Sequence, residues 1–352
     1  MKPWETFVVV QPGLEEIAAD EFVSLGIKRP TPELGGFNWV THPKKLFQII
    51  PYLRIPTRVL IRVGNFHARS FYIFEKEFRK IDFSAFVYNQ KINVKVECHH
   101  CALYHKGAIA ERIENMLNED RAIDPNAPEQ TIHCLGQDNY FTLSVDTCGD
   151  HLHKRGLLVK RGPAPLRESI AAAMVRSMNP QGDVWDPFCG SGTILMESLL
   201  FRKPQSMNKY RSFSFKHWPI YVTSKPDDLN LETSNHELTL VGSDLEEEAV
   251  KICQDNLSPL KDQANIKVQQ KNFYEADLKD YNLKDPCVIF NPPYGERMPF
   301  RELKNQLDQW RLDHPNVRIA VLLPTSKSLP GAKTLFKVKN GGLNVIAQCI
   351  EP

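Results

Sequence analysis

Asp183-Val184-Trp185-Asp186-Pro187-Phe188-Cys189-Gly190-Ser191-Gly192-Thr193 is the stretch on which the reading of this chain turns. Residues 183–186 are predicted as a short strand and 193–201 as a helix. A glycine-rich turn between them lets backbone approach a ligand closely and aims the free N–H groups of a helix start at it. The turn has neither the Lys of a phosphate-binding loop nor G-x-G-x-x-G spacing. A carboxylate at the strand's end, Asp186, suits a ligand carrying an ammonium group better than one carrying phosphates.

Downstream of that turn the pattern repeats. Strands are predicted at 238–241, 266–269, 288–290 and 319–323, with helices at 246–257 and 301–311. Residues 335–338 and 343–346 flank Asn340-Gly341-Gly342 and read as a hairpin. Parallel strands alternating with helices, closed by an antiparallel hairpin, predict a doubly wound, Rossmann-like α/β domain.

Two further motifs lie at strand ends. Gly242-Ser243-Asp244 places an acid where a dinucleotide fold accepts ribose hydroxyls; Ser243 or Asp244 could equally cap the following helix. Asn291-Pro292-Pro293-Tyr294-Gly295 follows the apolar strand 288–290. An Asn side-chain oxygen and the next backbone carbonyl can accept both protons of a planar amino group. That leaves the nitrogen lone pair free to attack a methyl on sulfonium. Tyr294 offers a stacking face, and the prolines fix the turn. Such chemistry runs on positioning and electrostatics and needs no metal.

Ahead of this domain the first 65 residues alternate strand and helix patterns. Strands are predicted at 7–10, 37–40 and 59–63; a helix opens at Pro12-Gly13 and ends at Gly26, and 46–53 reads as another. A second α+β unit follows, with strands at 92–98, 131–135 and 140–145 and a helix at 108–117. The expected domains are 1–65, 66–155 and 156–352.

At 352 residues, with 42% hydrophobic and 24% charged residues, the chain suits two or three folded domains rather than a disordered polymer. No apolar run reaches the ~18 residues of a membrane span. The start lacks the apolar core of a signal peptide, and eight cysteines without a signal read as reduced thiols. A cytoplasmic location is expected.

The net charge of +2 does not announce a nucleic-acid binder. Its distribution says more. Five basic residues and no acid lie from Lys154 to Arg167: Lys154, Arg155, Lys160, Arg161 and Arg167. A second basic stretch interleaves Lys209 and Arg211 with Tyr210, Phe213, Phe215 and Trp218. Cations can neutralise phosphates and exposed aromatics can stack on bases; the alternative is a solvated linker and a partly buried aromatic insertion.

Asp186 to Thr193 together with Asn291 to Gly295 resembles the class I S-adenosylmethionine-dependent amino-methyltransferases. Leu152-His153-Lys154-Arg155-Gly156, Ala164-Pro165-Leu166-Arg167-Glu168, 103–111 and Pro12-Gly13-Leu14-Glu15 are similar to THUMP-domain RNA methyltransferases, especially the bacterial large-subunit rRNA guanine-N2 group. The resemblance implies a ferredoxin-like domain, a THUMP domain and a methyltransferase domain. It implies S-adenosylmethionine as cofactor, with Asp186, Phe188, Gly190, Gly192 and Thr193 along its methionine end. Pro165 and Arg167 would close over that end, Asp244 would hold the ribose, and Asn272 with Phe273 the adenine. Asn291, Pro292 and Tyr294 would be catalytic. His105, Lys106, Lys154, Arg155, Lys160 and Arg161 would meet RNA, with 23S rRNA as expected partner and tRNA as an alternative.

This chain departs from the family pattern at Asn272, where the family usually has Asp. Asn can still accept from an adenine amino group through its carbonyl oxygen. Some family members carry a further methyltransferase domain; with the sequence ending at Pro352, one of their two reactions at most is expected here. The same amino-group motif also serves adenine N6 in DNA and protein glutamine, and a non-catalytic RNA-binding assembly factor is a further reading. Neither a membrane nor an obligate protein partner is implied.

Cys98-His99-His100-Cys101 has zinc-like spacing, and Cys134 and Cys148 could complete four ligands. Cys98 ends an alternating strand and no second C-x-x-C exists, so no metal is expected. Cys189 is read as a small turn residue rather than a nucleophile.

Overall fold

The computed structural model describes residues 2–351 except 120, 159, 161, 163–164, 232–236 and 294–298. In chain order the strands are β1 (Trp4–Val9), β2 (Gly36–Thr41), β3 (Arg58–His67), β4 (Ile92–His99), β5 (Gln130–Gln137), β6 (Tyr140–Asp146), β7 (Val184–Asp186), β8 (Thr239–Asp244), β9 (Asn265–Gln270), β10 (Cys287–Phe290), β11 (Arg318–Pro324), β12 (Lys333–Asn340) and β13 (Leu343–Ile350). The helices are α1 (Glu15–Ser24), α2 (Pro43–Ile49), α3 (Phe71–Phe78), α4 (Lys106–Asn118), α5 (Glu168–Met178), α6 (Thr193–Arg202), α7 (Pro219–Thr223), α8 (Glu247–Leu257) and α9 (Phe300–Asp313).

The chain divides into two compact units. The first comprises Met1–Val10, Pro30–Leu152 and Ser206–Leu229; the second comprises Gln11–Arg29, His153–Gln205 and Asn230–Pro352. In the first, the strands expected in two separate α+β units share one sheet of order β2-β1-β3-β6-β5-β4. The long β3 makes this so, because it pairs antiparallel with β1 along its start and with β6 along most of its length.

The aromatic stretch of the second basic run belongs to this first unit. Phe213, Phe215 and Trp218 are buried, so they pack rather than wait for bases. Phe215 stacks on Phe47 at 4.9 Å, and Trp218 Nε1 donates to Gln130 Oε1 at 2.6 Å. The Arg211 guanidinium donates to the carbonyls of Cys148, Asp150 and His151. Local composition could not reveal this, since the partners lie 60 or more positions away.

In the second unit the sheet order is β12-β13-β11-β10-β7-β8-β9. Strands β11, β10, β7, β8 and β9 are mutually parallel, and β13 joins β11 and β12 antiparallel. The β12–β13 hairpin turns on Gly341 and Gly342, whose φ values of 55° and 88° are those a tight two-residue turn requires. Burial on both faces explains the unbroken apolar runs of β10 and β11. Under the sheet, Trp185 lies 4.9 Å from Trp310, and Phe273 lies 4.7 Å from the same ring. Each such ring pair contributes about 0.5–1.5 kcal/mol beyond its buried area.

The chain leaves β7 toward β8 and β9, then returns to lay β10 on β7's other side. That reversal makes the carboxyl ends of β7 and β10 the topological switch point, where open α/β sheets bind ligands.

Candidate active site

Asp186 closes β7 and is 1% exposed. Its carboxylate accepts the Phe188 N–H at 3.1 Å. Burial holds its carboxyl well above the usual carboxylate range; the Phe188 N–H opposes this shift and the nearby Asp244 charge adds to it. A buried acid of this kind is stabilised as carboxylate by a cation brought to it.

The turn that follows is shaped by Gly190 and Gly192, at φ 50° and 84°. A Cβ on Gly192 would stand 2.9 Å from Cys253 Sγ, whereas one on Gly190 would meet nothing nearer than the Phe188 carbonyl at 3.9 Å. Gly192 is therefore needed for packing against α8. Gly190 leaves an open face beside Asp186. The buried Thr193 begins α6, with its hydroxyl 3.2 Å from that of Ser191.

Asp244 ends β8 and takes the helix-entry role that was open to it. Its Oδ2 accepts the Gly190 N–H at 3.0 Å, and its Oδ1 accepts the Glu246 N–H at 3.1 Å at the entry to α8. Cys189 N–H donates to the Ser243 carbonyl at 2.9 Å. Both bonds fasten the glycine turn to the end of β8.

Aromatic packing gathers the remaining segments. The Phe188 ring lies 4.9 Å from Phe273 and 5.5 Å from Phe290. Phe290 is the last residue of β10, so the half-buried Asn291 and the buried Pro292 follow directly beside the glycine turn. Asn272 Oδ1 accepts the Tyr274 N–H at 3.1 Å and so caps its own short turn. A second lone pair on that oxygen remains for a ligand amino group.

Pro165 is exposed, and the partly exposed Arg167 donates to Gln11 Oε1 at 2.9 Å at the entry to α5. Tyr294 and Arg161 lie outside the described residues, as does Ala164. His105 and Lys106 are exposed at the start of α4, and Lys154 and Lys160 are exposed too. Lys160 makes a surface ion pair with Asp255 at 2.5 Å.

Arg155 stands apart from the other basic residues. It is 1% exposed and pairs with the buried Glu197 of α6 at 3.0 Å. Its charge is met inside the fold, so it is a core residue and not an RNA contact.

Asn256 braces the candidate site in a way that the motifs do not reveal. Its amide donates to the carbonyls of Lys160 and Ser191 at 2.9 Å each, and its oxygen accepts the Lys160 N–H at 3.1 Å. It thereby ties the basic segment to the glycine turn. The signal in the sequence is spacing: Asn256 falls three residues after Cys253, on the buried face of α8.

Residues 155–328 match the family described as UPF0020, RMKL-like, methyltransferase domain. The chain is 28% identical to the assigned RNA methyltransferase slr0064 of Synechocystis sp., over 96% of this chain and 94% of that one. It is 25% identical to the ribosomal RNA large subunit methyltransferase K/L of Marinomonas sp., over 86% of this chain but only 46% of the relative's length. Among solved structures, SMU.472, described as a methyltransferase and solved in complex with SAH, superposes with a TM-score of 0.82 at 21% identity, covering 100% of this chain and 98% of that one. The Asp186 turn, Asp244 and Asn291 all lie within the matched segment, and residues 155–328 are a methyltransferase domain of the RMKL-like family.

Proposed function

We propose that this chain transfers a methyl group from S-adenosylmethionine to the exocyclic N2 amino group of a guanine in large-subunit (23S) rRNA. The observation that carries the reading is the packing of Phe188 on Phe290, which sets Asn291 beside the Asp186–Gly190 turn. RNA methyltransferases among the relatives support RNA as the substrate class. The bound SAH of SMU.472 supports the cofactor, since SAH is what remains of that donor after transfer.

The residues present fit such a cofactor. A buried carboxylate at Asp186 would receive the methionine ammonium, and the open face of Gly190 admits the chain beside it. Asp244 has lone pairs left for ribose hydroxyls, and Phe273 with Asn272 would bound the adenine. When bound there, the cofactor supplies an electrophilic methyl on a sulfonium. Asn291 Oδ1 and the Pro292 carbonyl would accept the two protons of the guanine amino group and orient its lone pair; Tyr294 would stack on the base. The first 155 residues, as ferredoxin-like (1–65) and THUMP (66–155) segments of a cytoplasmic enzyme, would grip RNA by shape and backbone, with His105, Lys106, Lys154 and Lys160 as phosphate contacts. The target base would be flipped out of its stack.

The test is incubation with labelled S-adenosylmethionine and hypomethylated total RNA, followed by nucleoside mass spectrometry, with Asn291→Ala as control. N2-methylguanosine in the large rRNA, absent with the variant, is expected. Label in tRNA, in N6-methyladenosine or in protein would reassign the substrate. RNA binding with no cofactor binding by calorimetry would leave a non-catalytic assembly factor.

A further inference from the structure

Methyl transfer leaves the motif Cys98-His99-His100-Cys101 unused. Near the end of β4, Cys98 lies in parallel register beside Gly136 of β5. His100 then takes a left-handed φ of 53°, and the chain returns so that Cys101 comes back to the same spot. Its Sγ accepts the Asn139 N–H at 3.4 Å. A Cβ added to Gly136 would stand 3.0 Å from Cys101 Sγ, 3.2 Å from Cys98 Sγ and 2.8 Å from the Phe141 ring. Both sulfurs thus converge on the space left by one missing side chain, over an aromatic floor.

Cys98 and Cys101 are partly exposed, whereas the other six cysteines are buried. Burial raises the Cys98 thiol above its ordinary value and the Cys101 thiol adds to the shift; the Lys106 ammonium opposes it. Cys134, next on the same face of β5, is 1% exposed, and burial pushes its thiol much higher. Among the described residues no three His, Cys, Asp or Glu side chains are set to hold a metal ion. The arrangement is that of two reachable thiols facing each other, with a third sealed beneath.

We propose that Cys98 and Cys101 form a modification site, a dithiol that closes reversibly to a disulfide by exchange with a small-molecule disulfide such as oxidised glutathione. One thiolate attacks a glutathione sulfur; a protein–glutathione disulfide forms and one glutathione thiolate leaves. The second cysteine thiolate then attacks the protein sulfur of that mixed disulfide and expels the second glutathione. Two electrons pass from the dithiol to the glutathione disulfide, and the two thiol protons end on the two glutathiones. A bridge that solvent can reach is the labile kind, readily reduced again. Closing it fixes the chain just ahead of the exposed Tyr104 and its neighbour His105, whose tilted rings lie 4.2 Å apart.

The full chain would be equilibrated across ratios of reduced to oxidised glutathione, free thiols trapped with N-ethylmaleimide, and tryptic peptides weighed. Cleavage after Lys95 and Lys106 isolates both cysteines in residues 96–106. Under oxidised glutathione this peptide should lose both maleimide labels and weigh two hydrogens less than its reduced form; dithiothreitol should restore both labels. In Cys101→Ser the peptide should instead carry one glutathione on Cys98, and Cys134→Ser should behave as the unaltered protein. Both thiols labelled at every ratio would overturn the proposal. So would two glutathiones on one peptide, a Cys98–Cys134 cross-link, or a bound zinc ion lost in Cys98→Ser by native mass spectrometry.

Discussion

Asp244 Oδ2 accepts a hydrogen bond from the Gly190 backbone N–H at 3.0 Å, across 54 positions of sequence. The carboxylate that would hold a ribose therefore also holds the glycine turn that would hold the methionine end. Under the proposed function, two ends of one ligand would be positioned by a single side chain.

Asp244→Asn keeps the size of that side chain and removes its charge and one acceptor. Cofactor affinity measured by calorimetry is expected to fall about tenfold, which corresponds to about 1.4 kcal/mol. RNA binding in a gel-shift assay should not change. Unaltered cofactor affinity would remove Asp244 from the site.

Asn291→Ala tests the amino-group acceptor separately from cofactor binding. Turnover should drop by about 10²–10³, the loss typical for one electrostatic group at a reacting centre. The cofactor dissociation constant should stay within about twofold of the original. An equal loss in both would give Asn291 a structural role instead.

Arg155→Ala removes the guanidinium that pairs with Glu197, whose side chain is fully buried. Removing one partner of a buried pair costs about 3–5 kcal/mol, while replacing both by apolar residues of similar volume is far milder. Urea unfolding should accordingly show a large loss for Arg155→Ala and substantial recovery in Arg155→Met with Glu197→Met. Lys160→Ala, whose pair with Asp255 is exposed, should change stability by less than about 1 kcal/mol. If Lys160→Ala weakens RNA binding, its salt dependence should fall as well.

The raised pKa of Asp186 makes both stability and ligand affinity pH-dependent. Its folded value lies above 3.8 mainly through burial, so within that window the folded state holds a proton that the unfolded chain has lost. The contribution of Asp186 to stability is then greatest below 3.8 and declines as pH rises through the folded value. Against Asp186→Asn, the native protein should lose relative stability across that window in urea titrations. Cofactor affinity should move the other way, rising as the carboxylate ionises, and the Asn variant should be flat.

Much of the second unit is legible in the sequence. The strand–turn–helix at Asp186, the acid at Asp244 and the hairpin at Gly341-Gly342 are all written locally, in turn residues and apolar runs whose period is set by the backbone. Elements without such punctuation are not. α3 carries its apolar residues in the short run Phe71–Phe78, where a helix and a buried strand read alike. The helix expected at 46–53 is α2 followed by a short 3₁₀ turn at Ile50–Tyr52, because Pro51 cannot donate the next helical bond.

The sequence by itself determined the alternation of strands and helices in the second unit and the turns that close its strands, since strand ends and turn types depend on near neighbours. Tertiary structure alone decided which charges and rings face water. Arg155 and Lys160 look alike in the chain, yet one meets Glu197 in the core and the other pairs with Asp255 at the surface. Phe213, Phe215 and Trp218 likewise found partners far away in sequence rather than a base to stack on. Burial is set by pairings across dozens of residues, whose closure cost and gain no local pattern records.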